Sequence, residues 1–253
     1  MIAKYNRDRA ASLASQAGIR EDFMITVDID QVNLSRPADM AVFLYNLMPP
    51  LIMFVIFLAG VHISVDMTAG ERERGSLEPL LITPIERSGL LLGKATVGLL
   101  MTMLTMVMNL VGFRLLLGLA VGLQGDMTPP PSFASFAMIF VVAIPLMVIA
   151  VSTQVAIALI SRSMKEAQIY LGLLPLIPAL PGMVLVFSPL QPTDAVAAVP
   201  LLGQLTLFNQ LVAGESIAAM HLLASVTVSL AFAAGIFWFA KTRFEKERLL
   251  FAT

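Results

Sequence analysis

Two apolar runs, residues 41–65 and 95–121, flank a segment dense in charge of both signs. It reads Gly70-Glu71-Arg72-Glu73-Arg74-Gly75-Ser76-Leu77-Glu78 and continues through Pro84, Glu86 and Arg87 to Lys94. About 20 apolar residues cross the hydrocarbon of a bilayer, and both runs are long enough. The ions between them cannot sit in hydrocarbon, so the segment must lie at a membrane face, where a soluble partner could hold it. Composition agrees. The chain is 58% hydrophobic and 13% charged, with a mean hydropathy of +0.86. A soluble domain carries about 25% charged residues. Too few charges remain to cover a water-facing surface, and the chain reads as an integral membrane protein.

Three further apolar stretches follow, at 136–160, 169–189 and 219–240. The expected fold is an all-α polytopic membrane protein with about five transmembrane helices. The loops near 122–135 and 190–218 contain no Lys or Arg, whereas Arg72, Arg74, Arg87, Lys94, Arg162, Lys165 and the tail after Lys241 are basic. Basic residues in short loops stay on the cytoplasmic side. The expected topology is a multi-pass protein of the cell's inner (plasma) membrane, N-terminus outside and C-terminus cytoplasmic. Pro200 to Val212 is apolar over much of its length but too short to span, and reads as a helix in the outer interface.

Residues 1–40 are a separate, polar region. Asn6 to Ala17 suggests an amphipathic helix, and Phe23, Ile25, Val27 and Ile29 alternate with Met24, Thr26, Asp28 and Asp30, the period of a strand. A single strand makes no sheet. The region is expected to be the remnant of an extracytoplasmic domain continuing upstream, and 41–253 to be the transmembrane domain.

Several chemistries lack their residues. A net charge of −1 argues against nucleic acid as a partner. There is no cysteine, hence no thiol or disulfide chemistry. His62 and His221 have no ligand-spaced companions, and no metal site is expected. Gly70 to Ser76 and Gly89 to Ala95 resemble phosphate loops only in their glycines: the first lacks the lysine, the second the hydroxyl residue, and neither follows a strand. Gly89 with Gly93, and Gly118 with Gly122, read instead as small-residue pairs that let helices approach. No catalytic residue and no bound cofactor are expected.

Polar residues within spans are costly and often functional. Asn109, Arg114 and Gln154 are candidates to line a translocation path, with helix–helix hydrogen bonding or reach to the headgroups as the alternative. Pro175 and Pro178 interrupt the fourth span, as a broken helix beside a cavity or a simple kink would require. In the charged connector, Leu77, Leu80, Leu81 and Ile85 fall on one face of a short helix and the charges fill the rest.

The run AGERERGSLEPLLITPIERSGLLLGK (69–94) resembles the signature cytoplasmic segment of type-2 ABC exporter permeases, especially the NatB-like sodium-extrusion branch. PLLGQLTLFNQLVAGE (200–215) and KTRFEKERLLF (241–251) resemble the same family more weakly. The resemblance implies a permease subunit of an ATP-driven exporter. It implies a coupling helix that docks on a separate ABC ATPase, which binds the ATP. It also implies a second permease copy or paralogue, and efflux of an ion or small molecule such as sodium. Carried over by position, Glu71, Arg72, Glu73, Arg74, Gly75, Leu77, Glu78 and Pro84 belong to the docking segment. Family members usually have six spans, with a large outer domain between the first and second, and by this resemblance the first span and most of that domain are expected to be missing from this sequence. A non-transporting membrane scaffold or regulatory subunit is the competing reading.

Overall fold

The computed structural model describes residues 37–75, 87–124, 131–187 and 193–246. The chain divides into Met1–Asn33 and Leu34–Thr253, and all the described residues belong to the second unit. The helix and strand expected before residue 31, and most of the remnant domain with them, lie outside the described residues, as do Leu77, Glu78 and Pro84.

All described elements are helical. The first span comprises α1 (Pro37–Ala59), α2 (Val61–Val65), a π-helical turn (Asp66–Gly70) and α3 (Glu71–Glu73). The second is α4 (Arg87–Gln124) and the third α5 (Phe133–Ile160). The fourth is divided into α6 (Met164–Leu173) and α7 (Leu176–Phe187). Two short helices, α8 (Asp194–Ala197) and α9 (Leu202–Ala213), precede the last span, α10 (Ala219–Lys246). Among the described residues, five helical stretches are long and apolar enough to cross a membrane.

The arrangement follows from where charge is absent. No charged residue occurs in the 28 residues of α5. A helix apolar all round can be enclosed, and α5 is so from Val142 to Leu159, where no residue is exposed, packing against α10, α4, α9 and α1. Ile139, Leu146 and Met147 of α5 meet Met48, Ile52 and Ile56 of α1 and Phe208 of α9 in one core, all fully buried. By contrast, α4 leaves Leu100, Leu104, Met108, Leu115 and Leu119 exposed along its length, a face suited to lipid.

The end of the first span and the start of the second, on either side of the charged segment, both differ from the sequence reading. Helix continues past Val65 to Glu73, and α4 begins at Arg87 rather than near 95. The reason is that the charges at both ends find partners inside the protein. Helix ends at Gly75, whose φ of +71° places it in the left-handed region that glycine adopts without strain.

The fourth span breaks at Leu174–Pro175, as its prolines require. Pro175 and Pro178 are buried. Gly182 of α7 lies directly on Pro50 of α1, where an added Cβ would fall 2.8 Å from the Pro50 Cβ. The glycine pairs noted in the sequence behave otherwise: a Cβ at Gly89, Gly93 or Gly118 would meet nothing within 4 Å. Close approach inside this chain occurs instead at Gly60, Gly98, Gly182 and Gly203.

The helix expected in the outer interface is present as α9. It is more enclosed than a surface-lying helix. Gly203, Gln204, Leu205, Thr206, Leu207, Phe208, Leu211 and Val212 are all buried, against α1, α5 and α10. It starts beside Leu201, which holds φ at +71°, and closes with Gly214 at φ +74°.

Candidate functional site

The four charges Glu71, Arg72, Glu73 and Arg74 occupy the last turn of the first span. Each is engaged with a different group of the same chain. Glu71 pairs through Oε2 with Lys94 Nζ of α4, and the same ammonium donates to Met67 O. The Lys94 side chain is only 8% exposed and that of Glu71 23%. A buried ion needs such a partner, because removing a charge from water costs several kcal/mol.

Arg72 reaches the end of α5. Its Nη1 donates to Ser161 O and its Nη2 to Leu159 O, both at 2.8 Å. The last carbonyls of a helix have no partner within it, and a cation is favoured at that negative end. The planar fork of a guanidinium can serve two carbonyls at once.

Glu73 reaches the start of the next helix. Its Oε2 accepts from the Met164 amide at 2.9 Å. Two neighbours complete the cap: Ser163 Oγ accepts from Glu166 N at 3.2 Å, and Glu166 Oε2 accepts from Arg162 N at 2.7 Å. An anion is favoured at a helix N-terminus. Arg74 returns to its own span, donating to Asp66 Oδ1 at 3.3 Å across the π-helical turn. This last pair is exposed on both sides, at 63% and 53%, and contributes little.

The result is a hub. The end of the first span is tied to the start of α4, the end of α5 and the start of α6, and the connector 76–86 departs from it. Of the residues expected to form a docking face, Glu71 and Arg72 are half-buried and bonded within the chain, while Glu73, Arg74 and Gly75 are exposed. Lys94, named in the sequence for its charge alone, completes the hub with Asp66, Ser161 and Met164, to which the sequence reading assigned no role. Lys94, a lone cation at the start of an apolar run, carried a signal. The backbone partners carried none.

A second polar cluster lies deeper. Gln154 of α5 is fully buried. Its Nε2 donates to Phe57 O at 2.8 Å, and its Oε1 accepts from Ser64 Oγ at 3.4 Å. Between these partners the first span is interrupted at Gly60, where a Cβ would fall 2.3 Å from Gln154 Oε1 and 3.3 Å from Thr102 Oγ1 of α4. Thr102 and Ser64 are also buried.

The other path candidates are not gathered with Gln154. Asn109 has a buried Oδ1 without a hydrogen-bond partner in the structure. Arg114 stacks its guanidinium 4.7 Å over the ring of Phe133, a cation–π contact. Along α4, Arg114 lies roughly 18 Å beyond Thr102 at 1.5 Å per residue. Pro175 and Pro178 shape the break in the fourth span. A groove of about 370 Å³ between α4, α5 and α10 is lined by Leu92, Thr96, Leu99, Val151, Ser152 and Phe237 among others and by none of the five path candidates. No group of three or more His, Cys, Asp or Glu residues that could hold a metal ion occurs among the described residues.

The model of the ABC-2 family transporter proteins matches residues 3–247. The chain belongs to this family. The ABC transporter permease protein NatB of Bacillus subtilis (strain 168) is 31% identical over 155 residues. That match covers 58% of this chain and 39% of NatB, so the chain spans about two-fifths of the length of this relative. No solved structure matches. As an ABC-2 family member with five membrane-crossing helices, the chain is a multi-pass membrane protein, and its charged hub stands at one end of the bundle.

Proposed function

We propose that this chain is the membrane-spanning permease subunit of an ATP-driven exporter. A separate ABC ATPase binds and hydrolyses the ATP, and the permease converts that cycle into efflux of an ion or small molecule, sodium being one candidate. The observation that carries this reading is the hub: three helices and the connector meet through Glu71, Arg72 and Glu73. A push on the connector would reach α4, α5 and α6 together instead of bending a loop. Residues beyond Gly75, including Leu77, Glu78 and Pro84, then make the contact with the ATPase. In this reading the hub faces the cytoplasm and the N-terminus lies outside. A second copy or a paralogue packs beside it, consistent with the extensive uncovered apolar surface of α4 and α10.

Co-purification with the ATPase subunit tests the reading. The wild type should retain that subunit. Leu77→Asp with Glu78→Lys should release it while the permease accumulates normally, because like charges placed across an interface cost several kcal/mol. If the doubly substituted chain keeps both its ATPase and its export, the connector is not the coupling element.

A further inference from the structure

The first span is built in two parts, and one side chain holds both. On the N-terminal side, α1 ends at Ala59; on the C-terminal side, α2, the π-helical turn and α3 lead to the hub. Gly60 lies between them with φ −89° and ψ −1°, departing from the regular helix on either side. Gln154 spans the interruption. Its amide nitrogen bonds the carbonyl of Phe57 before the break, and its amide oxygen takes the hydroxyl of Ser64 after it. Neither bond is made to a neighbour in sequence: the separations are 97 and 90 residues.

The surroundings restrict alternatives. Gln154 is 0% exposed, Thr102 0% and Ser64 3%. Thr102 donates its hydroxyl to Gly98 O in its own helix at 2.8 Å, and so has no proton to give the glutamine oxygen. Gly98 in turn lets α4 approach Val151 of α5, where an added Cβ would come to 3.2 Å. Three spans thus converge on Gly60 with no space for a methyl group. In an apolar interior an unpaired amide is costly, so bending the first span at Gly60 must carry the glutamine along or leave its groups unpaired. Glycine supplies the backbone freedom for such a bend.

We propose that Gly60 is the bend point of the first span and that Gln154 is the positioning residue that sets its angle, transmitting displacement of the hub to the half of the span beyond the break. The proposal rests on the permease reading above and adds a named route to it. Gln154 then acts through the backbone of the first span and need not touch what is transported.

The chain contains no cysteine, so spin labels can be placed freely. One pair, His62→Cys with Ile160→Cys, reports the hub side of the break. A second, Asn46→Cys with Met138→Cys, reports the far side; all four positions are exposed. The complex with its ATPase is reconstituted in lipid and trapped with ATP and vanadate, and the distances are read by double electron–electron resonance. In the wild type both pairs should shift on trapping. In Gln154→Met, of similar size but without the two hydrogen bonds, the hub-side shift should remain and the far-side shift should be lost. Ser64→Ala, which removes one bond only, should retain part of the far-side shift, and it provides the reading if Gln154→Met folds poorly. A far-side shift of wild-type size in both variants overturns the role of Gln154 and leaves the permease reading standing. A wild-type hub-side pair that does not respond to trapping overturns the coupling reading and this inference with it.

Discussion

Glu73 accepts the main-chain amide of Met164 at 2.9 Å, while its neighbour Arg72 forks onto the carbonyls of Leu159 and Ser161. Two residues adjacent in sequence therefore serve two adjacent helix ends of opposite polarity. The alternation of charge is fixed by that geometry: the end of α5 is electron-rich and the start of α6 electron-poor. Exchanging the two signs would put each charge against the wrong end.

Arg72→Met should destabilise the folded protein by about 2 kcal/mol, the range for losing hydrogen bonds to a charged group and leaving their partners unpaired. Arg72→Lys should recover only part of this, because an ammonium cannot present two parallel N–H groups to two carbonyls. Glu73→Gln should cost less, about 0.5 kcal/mol, as its site is exposed. Unfolding in detergent, followed by helical circular dichroism, ranks the three. Equal losses for Met and Lys at position 72 would remove any special role for the fork.

The Glu71–Lys94 pair should show a different signature. Removing one member leaves the other charge largely buried, at a cost of about 3–5 kcal/mol. Glu71→Gln and Lys94→Met should each be strongly destabilising, and the double substitution should be milder than either. A double-mutant cycle on unfolding free energy measures this. Additive effects would mean that the two side chains do not depend on one another.

The spans were legible in the sequence because unbroken apolar length is a local property. The hub-side limits of the first two were not. Charge at Glu71 to Arg74 and at Lys94 marks the edge of hydrocarbon in a linear reading, yet the helices run through it, since the ions are neutralised by one another and by helix ends. The partners lie far along the chain: Ser161 is 89 residues from Arg72 and Met164 is 91 from Glu73. Both are bonded through main-chain groups, which every residue carries and no pattern distinguishes. Gln154 stood out as a polar residue in a span, but its acceptor is the carbonyl of Phe57. Its position opposite Gly60 exists only once α1 and α5 are packed. The enclosed character of α9 was hidden for a similar reason, because apolar residues look alike whether they face lipid or protein.

Gly182→Ala should be destabilising by about 1–3 kcal/mol, the usual range for overpacking a filled contact. The added methyl would fall 2.8 Å from Pro50 Cβ and 3.2 Å from its Cα, a ring and backbone that cannot swing aside. Gly172→Ala is the control. Its Cβ would meet nothing within 4 Å, and alanine is favoured over glycine in a helix by about 1 kcal/mol. It should be neutral or mildly stabilising. If the two substitutions behave alike in thermal unfolding, the contact of α7 with α1 is looser than the structure shows.

Sidedness can be read directly from single cysteines. Lys165→Cys lies at the hub end, and Thr193→Cys follows α7 at the opposite end; both positions are exposed. One crossing, the α6–α7 span, separates them. A membrane-impermeant maleimide applied to intact cells should label Thr193→Cys at once and Lys165→Cys only after the membrane is opened. The direction follows from charge: Arg162 and Lys165 flank the hub, while the described residues from Thr193 to Ala218 contain no Lys or Arg, and basic residues in short loops are retained inside. Labelling of Lys165→Cys in intact cells would turn the hub outward, away from any ATP. The connector could then not be the element on which a cytoplasmic ATPase acts.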